Sequence, residues 1–161
     1  MVTSLNSSRP VLDQDSRTGQ SRIATLTAST TITQESYDGK TILMGAAGAA
    51  LTFTLPAAVG SGARFRFMVS VVNTSNYIIA VANASDTMDG KIISLQDAAD
   101  TLVGWETVAA SDTVTLNGTT TGGVAIGDYV ELEDIATNQW AVNGLTTSSG
   151  TEATPFSAAV S

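Results

Sequence analysis

The side chains best equipped for chemistry in this sequence are carboxylates. Glu131, Glu133 and Asp134 stand close together in the run YVELEDI. Strand alternation would put Glu131 and Glu133 on one face, roughly 7 Å apart. That separation suits the carboxylate pair of a glycosidase, yet any exposed strand face displays the same spacing, and nothing nearby marks a pocket that would split the two pKa values. Asp86 and Asp89, in DTMDG, set two oxygen ligands beside a glycine turn. They lack the ligand spacing of an EF-hand loop, so a solvated turn is the simpler reading than calcium. Gly60-Ser61-Gly62 lacks the Lys-Ser/Thr end of a phosphate loop and leads into a strand, which again makes it a turn. Arg64 and Arg66 share a strand face opposite Phe65 and Phe67. Two like charges so placed call for carboxylates on a neighbouring strand or a neighbouring subunit, in the core or at an interface. Trp105 and Trp140 are expected as core or interface anchors, with sugar stacking as the functional alternative.

The chain contains neither histidine nor cysteine. Their absence removes Ser-His and Cys-His nucleophile pairs, thiolate metal sites and a disulfide framework. The expectation is therefore a protein that is not an enzyme and carries no cofactor or metal. Its 161 residues suit one domain with short tails. The 7 Lys and Arg stand against 15 Asp and Glu, a net charge of -8, and an acidic surface repels phosphate backbones, so no nucleic-acid partner is expected. No apolar run reaches the roughly 18 to 20 residues of a membrane span. No basic segment followed by an apolar core announces secretion, which points to synthesis in a cytoplasm. Glycosylation sequons at Asn73, Asn83 and Asn117 accordingly read as turn residues.

The elements that would hold these side chains are strands. Residues 1 to 22 form a polar arm with an apolar cluster of Leu5, Pro10, Val11 and Leu12 and the basic residues Arg9, Arg17 and Arg22. From Ile23 the period becomes two. Leu51, Phe53 and Leu55 alternate with threonines; Phe65, Phe67, Val69 and Val71 alternate with Arg64, Arg66, Met68 and Ser70; Val130 and Leu132 alternate with Tyr129, Glu131 and Glu133. Glycine-containing turns at Asp38-Gly39, Asp89-Gly90, Asn117-Gly118 and Gly127-Asp128 separate the runs. This predicts an all-β fold, an antiparallel β-sandwich or barrel-like domain over residues 23–145 with an extended N-terminal arm. Only Gly45–Ala50 and Ser94–Asp100 are candidates for a helical turn. Residues 146–161, rich in Ser, Thr and Ala with Phe156 as their one large apolar side chain, are expected to form a flexible tail.

The segments Tyr37–Ile42, Leu51–Phe67 (LTFTLPAAVGSGARFRF), NYIIAVANASDTMDG, SDTVTLNGTTTGG, GDYVELEDI and QWAV occur in that order. Together they resemble small tailed-bacteriophage virion proteins described as capsid decoration or cement proteins, over about residues 23 to 145. The resemblance implies a compact β domain that forms a homotrimer on the outer capsid surface, with the major capsid protein as partner. The same resemblance extends to modules of phage fibres, so a receptor-binding or appendage module of a head or tail fibre is the alternative. Under the first reading Leu5, Val11 and Leu12 would fill apolar grooves of the shell, and Arg9, Arg17 and Arg22 would pair with its acidic surface.

Overall fold

The computed structural model describes residues 21–161. Twelve strands build two stacked sheets. β1 (Ile23–Leu26), β2 (Thr30–Thr31), β3 (Lys40–Met44), β4 (Leu51–Thr54), β5 (Arg64–Val69) and β6 (Tyr77–Ala80) are followed by β7 (Thr87–Gln96), β8 (Leu102–Glu106), β9 (Thr113–Leu116), β10 (Tyr129–Ala136), β11 (Gln139–Ser148) and β12 (Phe156–Ser157). One sheet has seven strands in the order β1-β3-β5-β10-β11-β7-β8; the other has five, β12-β9-β6-β4-β2. The fold is all-β, as the alternation predicts, and the two sheets make a sandwich.

The sheets are mixed where a wholly antiparallel pairing was expected. The first six strands alternate between the sheets, so β1, β3 and β5 lie side by side and parallel in one, while β2, β4 and β6 do the same in the other. A chain that crosses between layers after every strand returns to each layer in the same direction, which makes neighbours parallel. Within the larger sheet β10 and β11, and β7 and β8, form antiparallel hairpins, and β10 is also antiparallel to β5.

The inward residues of both sheets meet in one core. Phe65 and Phe67 on β5, Val130 and Leu132 on β10 and Trp140 and Val142 on β11 face Phe53, Tyr77, Ile79 and Val114 of the smaller sheet. Ring centroids of Phe53 and Phe67 are 5.6 Å apart, and those of Phe65 and Trp140 5.8 Å, separations at which tilted aromatic pairs attract. Each large side chain fully buried here contributes about 1.5–3 kcal/mol. Trp140 is thus a core residue, while Trp105 is half-buried and packs on the core's margin.

Neither expected helical stretch is helical. The backbone of residues 45–50 is engaged by side chains: the Tyr77 hydroxyl accepts the Ala46 N–H at 2.9 Å, Asn73 Nδ2 donates to the Ala49 carbonyl at 2.8 Å, and Thr74 Oγ1 donates to that of Ala47 at 3.1 Å. Groups so engaged cannot close helical turns. Residues 94–96 continue β7, paired on both sides, and 97–99 form the turn into β8. The one helical turn among the described residues is α1 (Gln34–Tyr37).

The segment from residue 146 is part of the fold and not a flexible tail. β11 runs on to Ser148, with Thr146 and Ser148 buried. Phe156 is buried and pairs with Val114 in β9. Asp112 then accepts the N–H groups of Ala159 and Val160 at 2.8 and 3.2 Å. Packing of one aromatic and two charge-assisted hydrogen bonds outweigh the low apolar content that suggested disorder.

Candidate functional site

Alternation on β5 and β10 sends Arg64, Arg66, Met68, Tyr129, Glu131 and Glu133 to the outer face of the larger sheet. The antiparallel register sets Glu131 opposite Arg66 and Glu133 opposite Arg64. Both arginines are paired within the chain. Arg64 Nη2 donates to Glu133 Oε1 at 2.8 Å, and Arg66 Nη1 lies 3.3 Å from Glu131 Oε1. The pairs stand on the solvent side, not in the core, where screening by water leaves such pairs little weight in stability. The Arg66 guanidinium also lies 4.0 Å from the centre of the Tyr129 ring, a cation–π contact. The hydrogen bond and charge of Glu133 raise the pKa of Arg64 further above neutrality.

Around these pairs the twisted sheet forms an open cavity of about 370 Å³. Gly39, Lys40 and Thr41 make one wall, Ala141 and Asn143 the other, with the Arg–Glu pairs between them. The placement of cations is uneven. Residues 21–161 hold five Lys and Arg. Lys40, Arg64 and Arg66 line the cavity, the Arg22 carbonyl accepts the Thr41 N–H at its rim, and Lys91 is the register partner of Asn143.

The four buried carboxylates are engaged elsewhere: Asp112, Asp128 and Asp134 each accept two or more backbone N–H groups, and Asp86 accepts one. Asp134 points to the opposite face from Glu131 and Glu133 and is 2 % exposed. It accepts the N–H groups of Val59, Gly60 and Ser61 and the Ser61 hydroxyl, at 2.7–3.1 Å. The turn predicted at Gly60-Ser61-Gly62 is therefore wound round a carboxylate, and Gly60 takes a φ of 78° that a side chain would resist. Burial opposes the charge of Asp134, but the Ser61 hydroxyl and the three amides outweigh it and hold its pKa below the ordinary carboxylate value. Asp128 accepts the N–H groups of Gly123, Ala125 and Thr147 and the Thr147 hydroxyl. There burial dominates, and the pKa is raised. Asp112 ties down the C-terminus as described. Asp86 accepts the Ala58 N–H at 3.1 Å and the Asn83 amide at 3.0 Å.

This arrangement separates the residues considered for chemistry. Asp86 is buried, whereas Asp89 is exposed and accepts from Gln139 at 2.6 Å, so the two do not converge on one site. Among the described residues no three His, Cys, Asp or Glu side chains form a group able to hold a metal ion. Glu131 and Glu133 share a face, as expected, but each is matched to an arginine. Asn73, Asn83 and Asn117 each close an Asx turn, accepting the N–H of Ser75, Ser85 and Thr119 respectively at 2.8–2.9 Å. Of the proposed arm residues, Leu5, Arg9, Pro10, Val11, Leu12 and Arg17 lie outside the described residues, and Arg22 is exposed just before β1.

The larger sheet also offers contact surface. The register Tyr129–Leu145–Ile93–Gly104 puts the side chains of Tyr129, Leu145 and Ile93 in one row of the outer face, ending at a glycine on β8, and Ile93 and Leu145 are exposed there, with Leu102 near the edge. β1 and β8 are its edge strands; neither contains Lys, Arg or Pro, the usual guards of a free edge. Comparison with protein-family models, curated proteins and solved structures gave no match.

Proposed function

We propose that this chain is a virion structural protein: a homotrimeric capsid decoration protein that binds the outer surface of an assembled tailed-phage capsid and stabilises it. The observation that carries the reading is how the charged groups divide. Every buried carboxylate of the sandwich holds loops or the C-terminus in place, which suits a rigid structural module. The resemblance of residues 23–145 to decoration proteins supports the same reading.

Self-association would cover the free edges β1 and β8 and the exposed Leu102, Ile93 and Leu145. A three-fold object fits a three-fold site between capsomers, with each subunit making equivalent contacts. Binding that is selective for the assembled shell stabilises it by mass action and needs no covalent step. In this reading the major capsid protein is the partner, and the arm of residues 1–22 supplies the grip through Leu5, Pro10, Val11, Leu12, Arg9, Arg17 and Arg22. The protein would be made in the host cytoplasm and reside on the virion exterior. Deleting residues 1–22 is the test: shell binding should vanish while the thermal unfolding of the sandwich is unchanged. Full binding by the truncated chain would reject the arm's role.

A further inference from the structure

We propose that the two free edges of the larger sheet are complementary: β8 of one copy pairs antiparallel with β1 of a second copy, head to tail, with the partner's Ile23 seated over Gly104. The inference rests on the self-association in the reading above for the presence of a second copy, and adds to it the strands, the register and the seat.

Direction is the first argument. β1, β3 and β5 run parallel, β10 opposes them, β11 and β7 run with β1, and β8 opposes β7. The edge strands β1 and β8 thus run in opposite directions. Copies related by an axis along the strands keep these directions, so β8 meets the next β1 antiparallel. Among the described residues no strand covers the outer side of either.

Backbone parity is the second. The N–H groups of Thr41 and Gly45 donate to the carbonyls of Arg22 and Leu26, so the polar groups of Ile23 and Thr25 turn away from β3. On β8 the Thr101 carbonyl accepts from Gln96 and the Thr107 N–H donates to Gly90, so those of Leu102, Gly104 and Glu106 turn away from β7. The side chains of these same residues lie on the outer face, in register with Thr41 and Leu43 on β3 and with Leu95, Ile93 and Lys91 on β7. A ladder that joins them therefore keeps outer face with outer face. The Ser21 hydroxyl accepts the Ile23 N–H at 3.2 Å and donates to the Ile23 carbonyl at 2.9 Å, exposed bonds that a partner strand replaces.

Side-chain fit is the third. A Cβ added at Gly104 would meet nothing within 4 Å. The glycine leaves a gap at the end of the row Tyr129–Leu145–Ile93. Ile23, 55 % exposed, fills the gap when set opposite Gly104, and the apolar row then crosses the joint. The same register sets Thr25 opposite Leu102, which is 71 % exposed, and Ala24 opposite Val103. It also sets Arg22, which has no ion pair among the described residues, opposite the half-buried Trp105, where its guanidinium stacks on the indole. Pairing β8 with a second β8 about Gly104 would instead set Leu102 against Glu106 and one bare glycine against another, and would leave β1 uncovered. A head-to-tail contact closes into a ring in which no copy keeps a free edge.

Ile23→Lys and Gly104→Lys each block one edge, at positions the single chain leaves open. In sedimentation velocity the wild-type chain should run as a multiple of 16.5 kDa. Each variant should run as a single chain with the far-ultraviolet circular dichroism of wild type. Mixed in equal amounts, the two variants should form a one-to-one pair and nothing larger, because each supplies the edge that the other lacks. Four results overturn the proposal. An assembly that persists in both variants would put the contact on another surface, and would leave self-association standing. An Ile23→Lys chain that still pairs with itself would make the contact β8 to β8. A mixture that stays as single chains would separate the two edges from one another. A wild-type chain that runs singly at every concentration would remove self-association and edge pairing together. No capsid enters the experiment, so shell binding keeps its own test.

Discussion

Replacing Asp134 with asparagine removes the charge around which the Val59–Ser61 loop is wound, at almost no change in volume. The carboxylate receives four donors: the amides of Val59, Gly60 and Ser61 and the Ser61 hydroxyl. An asparagine keeps one oxygen and turns an NH₂ group toward the remaining donors, so one or two buried N–H groups lose their acceptor. Each costs about 1–3 kcal/mol, and together the loss should be about 2–4 kcal/mol. At the usual scaling for a chain of this length, the melting temperature should fall by roughly 5–15 °C. The pH dependence gives a second reading. Because the folded state holds the Asp134 pKa below its ordinary value, its stabilisation is complete above the unfolded value near 4 and is lost as pH falls through the folded one. Urea unfolding of wild type and D134N should show a constant gap from about pH 7 to pH 5 that narrows below about pH 4. A gap under about 0.5 kcal/mol at neutral pH, the level of an ordinary surface change, or one that widens on acidification, would refute the role assigned to this carboxylate.

Asp128 should behave with the opposite sign: its folded pKa is raised, so its stabilisation is complete below the unfolded value near 4 and is lost as pH rises through the folded one, and D128N should gain on wild type in urea titrations as pH is raised from about 4. Gly90→Ala should abolish folding or soluble expression, because at its φ of 151° a Cβ would run into the Val142 carbonyl oxygen where β7 pairs with β11. Phe156→Ala should destabilise by about 3–5 kcal/mol in chemical denaturation, as for a core aromatic; a cost under 1 kcal/mol would mean that β12 is not docked. Arg64→Ala should leave the urea unfolding midpoint close to that of wild type, since its partner Glu133 and the pair as a whole face solvent; a midpoint clearly lowered would mean that the pair is shielded from water.

Period-two alternation was enough to place Phe65, Phe67, Val130 and Leu132 on one face and Arg64, Arg66, Glu131 and Glu133 on the other, but the expected partners of the arginines, in the core or on another subunit, turned out to be Glu133 and Glu131 on the solvent side of the same sheet. The same alternation, carried one residue further, puts Asp134 on the inner face, and that signal was legible; an acidic residue at a strand end simply resembles a solvated one. Which strands pair was not legible. Parallel β1-β3-β5 neighbours arise from a chain that alternates between two layers, and the strand starts at Ile23, Lys40 and Arg64 have no constant spacing that would reveal it. The tail was misread for a related reason: Phe156 and the Ala159–Val160 amides are held by Val114 and Asp112, more than forty residues away in sequence. Likewise, Gly45–Ala50 has helix-compatible composition, but distant Tyr77, Asn73 and Thr74 claim its backbone groups.

The proposed role in the virion is tested most directly by co-sedimentation of the purified chain with expanded and unexpanded tailed-phage capsids, the partner that the proposal assigns to it. The account predicts saturable binding to expanded shells alone, as a trimer of about three times the 16.5 kDa chain mass, together with greater heat resistance of the decorated shell. Absence of binding to either form would contradict it and turn attention to the fibre or appendage reading.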